Sequence, residues 1–129
     1  MQIARTLRAA SVILVVTAAL AAAPASAFHT HLEKSAPAAN DTVASPAVLK
    51  LWFSEKVELP FTRVTLKNVA GVAQPLGAVA YADTSADAPV VAPVTGKLEA
   101  GEYTVSWSTA AKDGHAAKGK FSFVVKAAP

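Results

Sequence analysis

Tyr103-Thr104-Val105-Ser106-Trp107-Ser108 decides the fold. Large apolar side chains fall on every second residue and small hydroxyl residues fall between them. That is the period of a strand with one face buried and one face wet. Phe121-Ser122-Phe123-Val124-Val125 follows shortly after with the same alternation. Upstream, Val48-Leu49-Lys50-Leu51-Trp52-Phe53 sets Leu49, Leu51 and Phe53 on one face and Lys50 and Trp52 on the other. Thr62-Arg63-Val64-Thr65-Leu66-Lys67 turns Val64 and Leu66 inward. Residues 31–35, 76–81 and 90–94 give three weaker candidates, which brings the expectation to about seven strands.

Breakers separate these runs: Pro37-Ala38-Ala39-Asn40-Asp41, Ser45-Pro46, Ala70-Gly71, residues 82–89, Glu99-Ala100-Gly101 and Asp113-Gly114. No stretch beyond residue 27 carries a capped 3.6-residue period. The expectation is an all-β fold, a Greek-key, immunoglobulin-like β-sandwich. Trp107 and the phenylalanines are expected in its core, whereas the parity of Trp52 points it away from Leu51 and Phe53.

The first 27 residues read differently. Arg5 and Arg8 precede an apolar run from Ala9 to Ala23, followed by Pro24 and the small residues Ala25-Ser26-Ala27. This is the layout of a cleaved secretory signal, and the run is short for a bilayer span of about 20 residues. The domain organisation expected is a signal peptide at 1–27 and one sandwich at 28–129, in a compartment outside the cytoplasm.

Removing the signal changes the charge argument. The chain carries 12 Lys and Arg against 9 Asp and Glu. Arg5 and Arg8 leave with the signal, so residues 28–129 carry ten cations against nine acids, a net +1. The cations form no run and have no aromatic interleaving, so nucleic acid is not an expected partner. With no cysteine, a disulfide framework, a thiolate zinc site, an iron–sulfur cluster, a blue-copper centre and a cysteine nucleophile are all excluded. No G-x-S-x-G elbow occurs, and the serines lie in strands or turns.

The chemistry left is carried by three histidines. His29-Thr30-His31 puts two imidazoles on one face of an extended segment, and Asp113-Gly114-His115 sets a carboxylate and an imidazole around a turn. In a sandwich, the first strand and the loop before the last strand can meet at one end. Imidazole, carboxylate and amine donors without sulfur suit Cu(II), with zinc next. Spacing alone leaves open that these are surface histidines near chain ends and turns.

A set of short motifs in order resembles the CopC family of periplasmic copper-resistance proteins. His29-Thr30-His31-Leu32 with Ser35-Ala36-Pro37-Ala38 is similar to the family's opening. Pro46, Leu49, Leu51 and Phe53-Ser54-Glu55 resemble its P-x-x-L-x-L-x-F-S-E strand. Leu98-Glu99-Ala100-Gly101-Glu102-Tyr103-Thr104-Val105-Ser106-Trp107 resembles L-x-x-G-x-Y-x-V-x-W. Asp113-Gly114-His115 with Gly119, Phe121 and Phe123 is similar to D-x-H…G-x-x-x-F.

The resemblance implies a Cu(II) carrier or buffer, most simply a monomer and not an enzyme, that passes copper to a CopD-like inner-membrane protein. By position it implies His29 (through amine and ring), Asp113 and His115 as ligands, with Glu55 orienting them. His31 sits where many members carry another residue, and is either an auxiliary ligand or a surface histidine. The methionine-rich stretch some members use for Cu(I) is absent: the one methionine is Met1. Cleavage after Ala27 leaves His29 second in the processed chain, and cleavage after Phe28 leaves it first. Two other readings stay in view. A copper-brace monooxygenase would use two histidines and an N-terminal amine. A metal-free adhesion or assembly module would use none of them.

Overall fold

The computed structural model describes residues 29–129. The signal expected at 1–27, and the cleavage question at Phe28, lie outside the described residues. Within them the regular structure is β apart from one 3-10 turn, Leu59–Phe61. The strands are β1 (Leu32–Ala36), β2 (Thr42–Val43), β3 (Val48–Phe53), β4 (Arg63–Asn68), β5 (Ala73–Gln74), β6 (Ala80–Tyr81), β7 (Val90–Pro93), β8 (Gly101–Ala110) and β9 (Ala116–Val125). They form two sheets, ordered β1-β3-β7-β6 and β2-β9-β8-β4-β5. The all-β sandwich read from the alternation is the fold.

The seven expected strands are present with adjusted ends, and two more, β2 and β5, join them. Each is two residues long and exists through its neighbour: β2 pairs in parallel with Val124 and Val125, β5 antiparallel with Leu66 and Lys67. Such short pairings carry no periodicity to read. The expected strand at 76–81 shrinks to Ala80–Tyr81. Ahead of it Leu76 makes only an isolated bridge to Val94, and Gly77 donates its amide to the Pro93 carbonyl at 2.8 Å.

Alternation fixes what lies between the sheets. Leu49, Leu51, Leu66, Ala92, Val105, Phe123 and Val125 are almost wholly buried, each large one stabilising the fold by about 1.5–3 kcal/mol. Trp107 joins them and meets Phe53 edge-on, with ring centroids 5.1 Å apart. Tyr103 stacks beside Phe123 at 6.0 Å, and its hydroxyl donates to the Glu99 carbonyl at 2.8 Å, satisfying the one polar atom that burial would strand. Thr62 and Thr109 are buried as a hydrogen-bonded pair at 2.7 Å.

Phe61 departs from the expectation that the phenylalanines are core. It ends the 3-10 turn outside the alternating run of β4 and is 67% exposed. Trp52 follows its parity to the outer face, where Lys34 Nζ sits 4.5 Å over its ring.

The feature that positions the site is the long β8–β9 hairpin. Its ladder is unbroken from Gly101↔Val125 to Ala110↔Ala116. The turn at 111–115 therefore stands at one end of the sandwich.

Candidate metal centre

The front of the described chain is tied to the segment leaving β3. The Ser54 amide donates to the His31 carbonyl at 2.9 Å, and the His31 amide donates to Ser54 Oγ at 3.0 Å. These bonds carry the β1–β3 pairing one step past Leu32↔Phe53. One residue earlier Thr30 turns inward, 5% exposed, and its hydroxyl donates to Oε1 of Glu55 at 2.6 Å. With Thr30 inward, His29 and His31 both face solvent.

The other half of the site is the hairpin turn. The Ala111 amide donates to the His115 carbonyl at 3.1 Å, and the Gly114 amide to the Ala111 carbonyl at 2.9 Å. Gly114 has φ of +85°, a left-handed conformation that a side chain would strain. Asp113 reaches back over the turn: Oδ1 accepts from the His115 amide at 3.0 Å, and Oδ2 accepts from His115 Nδ1 at 2.8 Å. An ionised carboxylate only accepts, so Nδ1 carries the proton and the lone pair of neutral His115 is on Nε2.

A backbone splice joins the halves. Val57 bridges to Ala111, and the Glu58 amide donates to the Ala110 carbonyl at 2.9 Å. Tyr81 clamps the same segment, its hydroxyl donating to the Val57 carbonyl at 2.7 Å and accepting from the Val57 amide at 2.9 Å. Glu55, just ahead of this splice, is held by Thr30 on one side and contributes its charge to His115 on the other.

Across the gap the imidazoles of His29 and His115 lie 6.3 Å apart between centroids, tilted by 59°. A ring nitrogen binds an ion at about 2 Å, which puts two rings sharing one ion at most about 6.5 Å apart. The observed separation lies within that reach.

Charge in the site is arranged by the turn. The hydrogen bonds from the His115 amide and ring hold the Asp113 carboxyl below its ordinary range. The Asp113 hydrogen bond, then its charge, pushes His115 upward, and Glu55 adds to the same direction. The two side chains are 70% (His115) and 57% (Asp113) exposed, so this pair contributes little to stability. Its effect is on protonation.

His29, Asp113 and His115 therefore come to one end of the sandwich with Glu55 beside them. His31 is held against its own segment, Nδ1 3.3 Å from the His29 carbonyl. Among the described residues no three imidazole or carboxylate groups already stand close enough together to hold an ion, so closing on one takes rotation of exposed side chains. Sequence reasoning missed Thr30, Ser54 and Tyr81. Thr30 had one legible signal: its parity between two outward histidines points it inward, where a hydroxyl needs a partner.

Comparisons with known proteins agree on one lineage. The family model described as CopC domain matches residues 32–126. Copper resistance protein C of Xanthomonas campestris pv. juglandis is 36% identical over 121 residues, covering 91% of this chain and 94% of its own. Protein YobA of Escherichia coli K12 is also 36% identical, over 95% of this chain and 97% of its own. Among solved structures, CopC from Methylosinus trichosporium OB3b superposes with a TM-score of 0.70 at 26% identity, covering 78% of this chain and 97% of that one. PcoC, a methionine-rich copper resistance protein from Escherichia coli, gives a TM-score of 0.67 at 28% identity, covering 76% and 99%.

Proposed function

This chain belongs to the CopC family, and we propose that it is a periplasmic protein of copper resistance and homeostasis that binds Cu(II) as a carrier or buffer. The signal-like residues 1–27 support export, and residues 28–129 form the domain that works outside the cytoplasm. The observation that carries the reading is the approach of His29 and His115 to 6.3 Å, with Asp113 hydrogen-bonded to the second imidazole.

In this reading one cupric ion takes its donors from both ends of the chain. His29 supplies a ring nitrogen and, where it is the processed terminus, the α-amine. His115 supplies Nε2. Asp113 supplies an oxygen after turning from the ring it now holds, and its negative charge favours the 2+ ion. Glu55 stays outside the coordination sphere and orients the ligands, held in place by Thr30. His31, exposed two residues along the same segment, is an auxiliary donor. Sulfur is absent from the described residues, so the site suits Cu(II) rather than Cu(I). A monomer of this kind hands its ion to a CopD-like protein of the inner membrane.

The test is equilibrium titration of the processed protein with Cu(II) against a competing chelator, beside His29→Ala and His115→Ala. One ion per chain, with affinity falling by orders of magnitude in both variants, supports the reading. Unchanged affinity in both variants rejects it.

A further inference from the structure

The outer face of the five-stranded sheet is basic in a way that the metal centre does not use. Inward positions on β8 are Tyr103, Val105, Trp107 and Thr109, so Thr104, Ser106 and Ser108 point outward. Register extends each outward residue into a row: Arg63–Ser108–Lys118, Thr65–Ser106–Lys120 and Lys67–Thr104–Ser122. Every residue in these rows is a cation or a hydroxyl. Of the carboxylates in the described residues, only Glu102 falls on β4, β8 or β9, and it lies beyond the third row, opposite Val124.

A wet outer face is ordinary for an antiparallel sheet, but its charges usually mix in sign. Here four of the ten cations of residues 28–129 gather on three adjacent strands while the net charge of that segment is only +1. The one ion pair found among the described residues is Asp113–His115, so none of these four is neutralised by a neighbour. Lys118 and Lys120 stand about 7 Å apart along one strand, a repulsion that buys no internal contact.

The face has an apolar edge as well. Phe61, 67% exposed, shares a shallow depression with Ser108, Ala110, Ala116 and Lys118. That depression lies between the cationic rows and the 111–115 turn that carries Asp113 and His115.

We propose that this face docks on anionic phospholipid, with the Arg63, Lys67, Lys118 and Lys120 side chains on headgroup phosphates and Phe61 at the interfacial level beside the metal-bearing turn. The complementarity is of charge. An open patch of like-charged cations separated by hydroxyls meets a continuous layer of phosphate acceptors, and a single aromatic supplies the shallow apolar contact that interfacial binding uses. Docked this way, the turn lies at the membrane surface, where an ion passes to an integral membrane protein without a long diffusion step.

Co-sedimentation of the purified protein with vesicles tests this. Vesicles of phosphatidylcholine and phosphatidylglycerol in about equal parts should bind it at low salt, and vesicles of phosphatidylcholine alone should not. Binding should fall at least about tenfold in Lys118→Glu/Lys120→Glu and be lost in high salt, because screening acts on exposed charges. Phe61→Ala should weaken binding severalfold and leave its salt dependence intact. No binding to the anionic vesicles overturns the proposal, as does binding that survives the double charge reversal. Retention on immobilised polyglutamate without binding to vesicles would also overturn it and assign the face to an acidic protein. The same double variant should titrate with Cu(II) like the wild type, so failure of the docking and failure of the copper reading are separate results.

Discussion

Thr30 donates its hydroxyl to Glu55 at 2.6 Å, and this bond adds to the backbone bonds that tie the front of the described chain to the segment leaving β3. Replacing Thr30 with Val keeps the shape and removes the donor. Thr30→Val should cost about 1.5–3 kcal/mol in urea unfolding, the usual worth of a hydrogen bond to a charged group. It should also weaken Cu(II) binding severalfold by loosening both Glu55 and His29. Equal affinity in the two proteins would show that Thr30 does not position the site.

Protonation of the turn follows from the same geometry. His115 is raised by Asp113, so its share of the pair's stability is complete below its unfolded value and is lost as pH rises through the raised folded value. Asp113 is lowered, so its share is complete above its unfolded value and is lost as pH falls through the lowered folded value. Both effects are small at exposed groups. With the proposed ligand set the consequence for the ion is larger, because Cu(II) would have to displace a proton from His115. Affinity should therefore keep rising with pH beyond the ordinary histidine range and fall on acidification. In the metal-free protein, Asp113→Asn should bring the His115 titration back down, as followed by the imidazole proton resonances in NMR. A titration unmoved by that change would contradict the assigned cause.

The splice between the halves gives a stability test. Tyr81→Phe removes both hydrogen bonds to Val57, whose side chain is buried and whose backbone would lose its two partners. The variant should lose about 1–3 kcal/mol in denaturant melts. Hydrogen exchange should rise at the amides of Val57 and Ala111 before the rest of the sheet.

Packing at the hairpin makes a sharper prediction. Gly119 lies opposite Trp107, and a Cβ there would fall 2.6 Å from Cζ2 of the indole. Gly119→Ala must push the ring out of its place against Phe53, so it should destabilise by about 1–3 kcal/mol and shift the tryptophan emission. The exposed Gly71 faces open space but has φ of +78°, so Gly71→Ala costs backbone strain without disturbing that emission.

Particular residues show what was legible beforehand. Alternation in β3, β4, β8 and β9 placed Leu49, Leu51, Leu66, Val105, Trp107 and Phe123 correctly, because a half-buried strand writes its burial into a period of two. β2 and β5 were illegible, since two residues have no period and their pairing belongs to the partner strand. Phe61 misled because hydrophobicity alone does not encode which side of a turn a residue takes. At the candidate site, His29, Asp113 and His115 stood out as the rare donor types. Thr30 and Tyr81 did not, because their roles come from partners 25 and 24 residues away. The parity of Thr30 turns it inward, but nothing local names the partner in either pairing.

In the proposed site nitrogen from His29, nitrogen from His115 and oxygen from Asp113 meet on one cupric ion. Electron paramagnetic resonance of the processed protein with one equivalent of Cu(II) tests it most directly. One axial species with superhyperfine coupling from imidazole nitrogen is expected, replaced by a different species in His115→Ala. A spectrum of hydrated copper, or one left unchanged from the wild type by both His29→Ala and His115→Ala, would contradict it.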